Sequence, residues 1–211
     1  MTSPAAPRKG KSAAPRKRAE MRAETRAAVK QAAFELFATQ GFDETTTQAV
    51  AERAEVAAGT VFVHAKDKVD LLSLVMHDLL AEVLAERLAT LPEGPLLERY
   101  LHVFRGIFAM YARHPKLAAA FVRTLPAARG PNTDQVNALT FDFLHRLAVL
   151  FTEAQQKGEV AANLNPIVCV QNVFGLYLMV LMTWLSGHVP IEALDAFLRA
   201  SLEVQFRGFR P

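Results

Sequence analysis

From about Ala19 onward the apolar positions recur at helical spacing, and no segment alternates with the period of two that a half-buried strand shows. "AETRAAVKQAAFELFATQG" puts Val29, Ala33, Leu36 and Phe37 on one face and ends at Gly41, a helix stop. Two short segments follow, near 47–54 and 57–64. A longer one, Lys68 to Leu91, carries Leu71, Leu72, Val75, Leu79, Val83 and Leu88 until "PEGP" breaks it. Leu96–His114 holds Tyr100, Phe104, Ile107, Phe108 and Tyr111, and a short helix is expected near 116–125. "RGPN" interrupts the chain at 129–132; the pattern resumes over about 133–157 with Leu139, Phe143, Leu144, Leu147, Leu150 and Phe151. Two helices, about 166–187 and 191–208, close the chain. The expected fold is all-α with about nine helices, a small N-terminal set followed by a larger helical body, and no internal repeat.

The last two helices differ in kind. "IVCVQNVFGLYLMVLMTWL" (167–185) has no charge and is long enough to raise a membrane span, but Gln171 and Asn172 lie inside it and neither flank is basic. Its partner, "IEALDAFLRASLEVQF", carries Leu194, Phe197, Leu198, Ser201, Leu202 and Phe206 at helical spacing. A helix apolar all round beside one with an apolar stripe points to a buried core or a subunit interface. A homodimer is expected through Leu194, Leu198, Leu202 and Phe206, with no membrane partner.

The short pair beginning "TTTQAVAERAEV" fits the two-helix unit that presents its second helix to the DNA major groove. Thr46 is placed to cap the first helix. Val50, Ala51 and Ala54 face inward, Val56 plugs the corner, and Ala57, Ala58 and Gly59 open the second helix. Small residues there let helix-terminal N–H groups come close to a phosphate or a base edge. Any helical hairpin could show the same pattern.

Charge sharpens this picture more than bulk composition does. Residues 1–18 carry six cations, Arg8, Lys9, Lys11, Arg16, Lys17 and Arg18, and no acid; the remainder holds 18 Lys and Arg against 21 Asp and Glu. Residues 1–19, rich in Pro, Ala and Ser, are expected to form a disordered arm, either a solvated tail or a basic arm for nucleic acid. The single Cys169 excludes an internal disulfide and a cysteine zinc site, and with no apolar h-region at the N-terminus the expected location is cytoplasmic.

The stretch "TRAAVKQAAFELFATQGFDETTTQAVAERAEVAAGTVFVHAKDKVDLL" resembles the N-terminal module of the tetracycline-repressor (TetR) family of transcriptional regulators. Thr25, Arg26, Ala32, Ala33, Leu36, Phe37, Gly41, Thr45, Thr46, Ala51, Ala54, Val56, Gly59, Thr60, His64 and Lys68 match the family pattern in order, over about residues 20–75. The resemblance implies a helix-turn-helix domain at 20–67 and a ligand-binding and dimerisation domain at 68–211. It implies a regulator, a repressor in the first reading, released from a palindromic operator in double-stranded DNA by a small molecule. Carried over by position, Thr46 and Gln48 would meet backbone and groove edges. Ala57, Ala58, Gly59 and Thr60 would face bases, Phe62 and His64 phosphates, and Lys68 a flanking phosphate, with Arg16, Lys17 and Arg18 of the arm adding charge. Glu55, Ala57, Ala58, Phe62 and Ala65 stand where the family usually has Gly, Ser, Lys, Tyr and Phe, so the second short helix carries no Lys or Arg. Alternatives are a regulator of this fold without a small-molecule ligand, an activator or one controlled by a protein partner, and a helical interaction module whose second short helix no longer reads DNA.

A ligand pocket in the larger domain would be mostly apolar with a few polar groups. Phe104, Phe108, Tyr111, His145, Asn172, Tyr177 and Thr183 are the candidates, and without a concentrated Lys/Arg set they favour an apolar or weakly polar effector over a phosphorylated one. Most aromatics, Phe121, Phe141, Phe143 and Trp184 among them, are expected in the core. His77, His102, His114 and His188 lack ligand spacing, and no H-E-x-x-H, phosphate-binding Gly loop or G-x-S-x-G occurs. No enzyme activity, metal or cofactor is expected.

Overall fold

The computed structural model describes residues 13–211, with side chains from Arg16 onward. Nine α-helices and no strand occur among the described residues: α1 Ala13–Thr39, α2 Thr47–Arg53, α3 Ala58–His64, α4 Lys68–Ala89, α5 Leu96–Arg113, α6 Pro115–Thr124, α7 Pro131–Gln156, α8 Pro166–Leu185 and α9 Leu194–Arg207. Part of the basic arm is helical. Residues 13–19 belong to α1, because Ala, Arg, Lys and Glu are all good helix formers and Arg16 pairs with Glu20 one turn on at 3.2 Å. Arg8, Lys9 and Lys11 lie outside the described residues.

The N-terminal module packs Val29, Ala33 and Phe37 of α1 on Val50 and Ala51 of α2 and Val61 of α3, all at most 1% exposed. Thr46 caps α2 as its sequence position predicts, its hydroxyl accepting the Ala49 N–H at 3.0 Å. Glu55 sits in the α2–α3 turn with φ +55°, the left-handed backbone that Gly adopts freely, so the turn is held against a cost of about 1 kcal/mol.

In the larger body α4 packs on α5 and α7, α8 on α7 and α9, and α9 on α5. Leu194, Leu198 and Leu202 of α9 are 0% exposed within the single subunit. They are therefore core residues, which corrects their assignment to a dimer interface. Phe206 is half-buried and meets Tyr100 and Phe209 edge-on, centroids 6.0 and 5.2 Å apart. The opposite faces of these helices stay uncovered: Val168 and Met179 on α8 are 51% and 64% exposed, and Phe197 and Val204 on α9 are 50% and 67%. Only 33% of the most apolar stretch of α8, which is long and apolar enough to cross a membrane, is buried in the subunit. Phe141, expected in the core, is 71% exposed on the outer face of α7.

Candidate DNA-binding surface and ligand cavity

Ala57, Ala58, Gly59, Phe62 and Val63 are exposed along α3, and Thr60 is half-buried. A side chain at Gly59 would meet nothing within 4 Å, so packing within the subunit does not demand glycine there. Gln48 is exposed on α2, its amide tied to Glu52 at 2.9 Å, and Arg16, Lys17 and Arg18 are exposed on the first turns of α1.

Two predicted phosphate contacts point elsewhere. The Lys68 ammonium donates to the carbonyls of Phe42, Asp43 and Thr45 at 2.9, 3.1 and 3.0 Å and lies 4.5 Å over the Phe42 ring. All three of its protons are committed to the loop before α2, so it fastens that loop and has none left for DNA. His64 is only 7% exposed. Burial first, then Arg26 and Arg22, holds its imidazole below the ordinary range, so it sits there uncharged at neutral pH. The end of α3 is covered by the start of α7, which no local pattern in the sequence announces.

That cover is a buried polar cluster. Asp70, 0% exposed, accepts the backbone N–H of Asn132 at 2.9 Å, of Thr133 at 3.0 Å and of Lys66 at 2.9 Å, and the Asn132 side-chain amide at 3.0 Å. A carboxylate thus meets the free N–H groups and the positive dipole end of α7. The Asn132 amide also donates to the His64 carbonyl at 2.9 Å, while Arg26 of α1 donates to the Asn132 side-chain oxygen at 2.9 Å. Gly130, with φ +144°, leads into this start, and a Cβ there would come within 2.4 Å of the Asp70 carboxylate. The cluster ties α1, the end of α3, α4 and α7 into one unit. Sequence reading missed it, although "RGPN" marks its turn.

Three to four residues further along, from Val136, α7 borders a cavity of about 450 Å³ lined by α4, α5, α6, α7 and α8. Leu80 and Leu84 of α4, Val136, Thr140 and Phe143 of α7, and Phe174, Leu178 and Leu181 of α8 form much of the wall, and no charged residue lines it. Tyr111 and Tyr177 line it. Phe104 and Phe108 do not; they stand behind, stacked on the Tyr177 ring at 4.9 and 5.6 Å. His145 and Asn172 are exposed on the outer faces of α7 and α8, outside the cavity wall, because their helices turn the opposite stripe inward. Thr183 is half-buried and spends its hydroxyl on the Met179 carbonyl at 2.9 Å. The missed wall residues share one signal: Leu80/Leu84, Val136/Thr140/Phe143 and Phe174/Leu178/Leu181 each repeat at three- and four-residue intervals. Burial pushes the Tyr111 phenol up to about 12, and burial with the neighbouring Tyr111 also raises Tyr177 well above its ordinary value, so both are neutral hydrogen-bonding groups.

A helix-turn-helix module is thus hydrogen-bonded to a helical body that holds an apolar cavity. Residues 31–75 match the sequence model of the family described as bacterial regulatory proteins, tetR family. The fatty acid metabolism regulator protein of Bacillus subtilis (strain 168) is 24% identical over 178 residues, 84% of this chain and 91% of that protein. In fold the chain is similar to FadR from Bacillus subtilis in complex with stearoyl-CoA, with a TM-score of 0.68 and 21% identity over 87% of this chain and 99% of that one. It is also similar to Thermus thermophilus FadR, a TetR-family transcriptional repressor in complex with lauroyl-CoA (TM-score 0.64, 23% identity, 87% of this chain and 94% of that one).

Proposed function

We propose that the protein is a homodimeric cytoplasmic repressor, with its DNA-binding module at 20–67 and its effector and dimerisation domain at 68–211. It leaves its palindromic operator when a lipid-like molecule fills the cavity between α4 and α8. The observation that carries this reading is the cavity wall: it is uncharged, and its α7 segment begins at the cluster that grips the end of α3. A volume of about 450 Å³ lies within the range of roughly 300–1,000 Å³ usual for ligand pockets. An occupant that moves the first turns of α7 must disturb the hydrogen bonds at Asp70 and the His64 carbonyl, and so the seat of α3.

The acyl-CoA ligands of the two FadR relatives agree with an apolar chain inside such a cavity. With no Lys or Arg in the wall, a phosphorylated head would remain outside, near the rim residue Pro126, whose carbonyl accepts from Arg129 at 3.3 Å. The preference for an apolar effector thus applies to the enclosed part of the molecule.

The test is a gel shift with DNA flanking the protein's own gene, titrated with lauroyl-CoA, free CoA and methyl laurate. Release by lauroyl-CoA but not by free CoA is expected. Binding to no fragment would favour an interaction module; binding that no acyl compound relieves would favour control by a protein partner.

The uncovered apolar face formed by Val168, Met179, Phe197 and Val204 supports the dimer, since lone subunits rarely leave such a patch in water. Phe197→Glu with Val204→Glu should halve the sedimenting mass while the helical circular dichroism stays unchanged. An intact dimer in that variant would place the interface elsewhere. Leu198→Glu should instead unfold the subunit, because it forces a charge into the core.

A further inference from the structure

Four polar side chains line the cavity: Tyr111, Asn137, Thr140 and Tyr177. Asn137 is exposed at the rim, and the Thr140 hydroxyl is committed to the Val136 carbonyl at 2.9 Å. The two phenols are the polar groups left on the buried wall, 2% and 4% exposed. Tyr177 donates to the Tyr111 oxygen at 3.3 Å, long for an O–H···O bond. That contact uses one of two phenolic protons. The Tyr111 proton has no acceptor among the described residues, and a buried donor without an acceptor is costly. Stacking on Phe104, Phe108 and Phe174, at 4.9, 5.6 and 5.5 Å, fixes the Tyr177 ring, and Tyr111 is itself buried, so neither phenol reaches bulk water.

We propose that the cavity's ligand presents an uncharged acceptor oxygen, a carbonyl or a hydroxyl on an otherwise apolar chain, to the Tyr111 O–H. The proposal rests on the cavity being the effector site. A carboxylate does not fit the place: no cation lines the wall to pair with it, and burying it there alone is prohibitive. A plain alkyl chain would fill the volume and leave the phenol unpaired. Tyr111 is thus the residue that distinguishes an oxygenated lipid from a hydrocarbon of equal length.

Headspace partitioning of octane and 2-octanone over the full-length protein tests this, with wild type, Tyr111→Phe and Tyr177→Phe compared. Octane reports whether each variant keeps an intact cavity. Tyr111→Phe should weaken 2-octanone about five- to tenfold, the worth of one hydrogen bond, and change octane less than twofold. Tyr177→Phe, which leaves the Tyr111 proton in place, should weaken the ketone less than Tyr111→Phe does. Equal loss of both probes in Tyr111→Phe, or no loss of the ketone, overturns the proposal while the cavity reading stands. If neither probe binds the wild type, the cavity reading fails and takes this proposal with it.

Discussion

Asp70→Ala is expected to lower the unfolding free energy by roughly 3–5 kcal/mol, among the largest effects of any single change in the protein. The substitution strands the buried N–H groups of Asn132 and Thr133 and the part-buried one of Lys66, each of which donates to that carboxylate. Asp70→Asn should fall between the two, because its NH₂ would face donors on one side: the oxygen that receives both the Lys66 N–H and the Asn132 amide is one an Asn must in part replace. Urea denaturation measures both variants, and a loss under about 1 kcal/mol for Asp70→Ala would show that water takes over those donors. At temperatures where the variant remains folded, operator affinity should still drop, since the His64 carbonyl at the end of α3 loses its rigid neighbour.

Changing Arg16, Lys17 and Arg18 together to Gln should flatten the plot of log affinity against log salt by up to about 2.7 per subunit, at roughly 0.9 for each neutralised phosphate. Affinity should fall for operator and unrelated DNA alike, because these cations carry charge and no base-reading geometry. The expected change is nearer 1.8 if Arg16 keeps its partner Glu20, 3.2 Å away. Because α3 contributes no Lys or Arg, an unchanged slope would show that Arg16, Lys17 and Arg18 neutralise no phosphate.

The helices and the short hairpin were legible because each depends on neighbours close in sequence: the Thr46 cap, the inward Val50 and Ala51, the breaks at "PEGP" and "RGPN". Burial of the ends was not, because it depends on distant chain. His64 reads as an exposed helix terminus until Asn132 is laid across it, and Lys68 reads as a free cation until the carbonyls of the loop at 42–45 surround it. α9 failed in a different way. It has two apolar stripes, one through Leu194, Leu198 and Leu202 and one through Phe197 and Val204, and periodicity does not say which faces inward. The same ambiguity sent His145 and Asn172 to the cavity, when only the stripes beside them line it.

The grip on Asp70 is made largely by backbone groups at 66, 132 and 133 and by a glycine that leaves no room for a methyl group. Backbone donors survive most changes of side chain, so amino-acid replacement can drift at the exposed Ala127 and Arg129. Chain length cannot. One residue inserted or deleted within the first turn of α7 would turn the N–H groups of Asn132 and Thr133 by about 100° relative to the rest of the helix and carry them off the carboxylate. Over evolutionary time the exposed part of the connection should therefore vary in composition, while the first turn of α7 resists insertions and deletions.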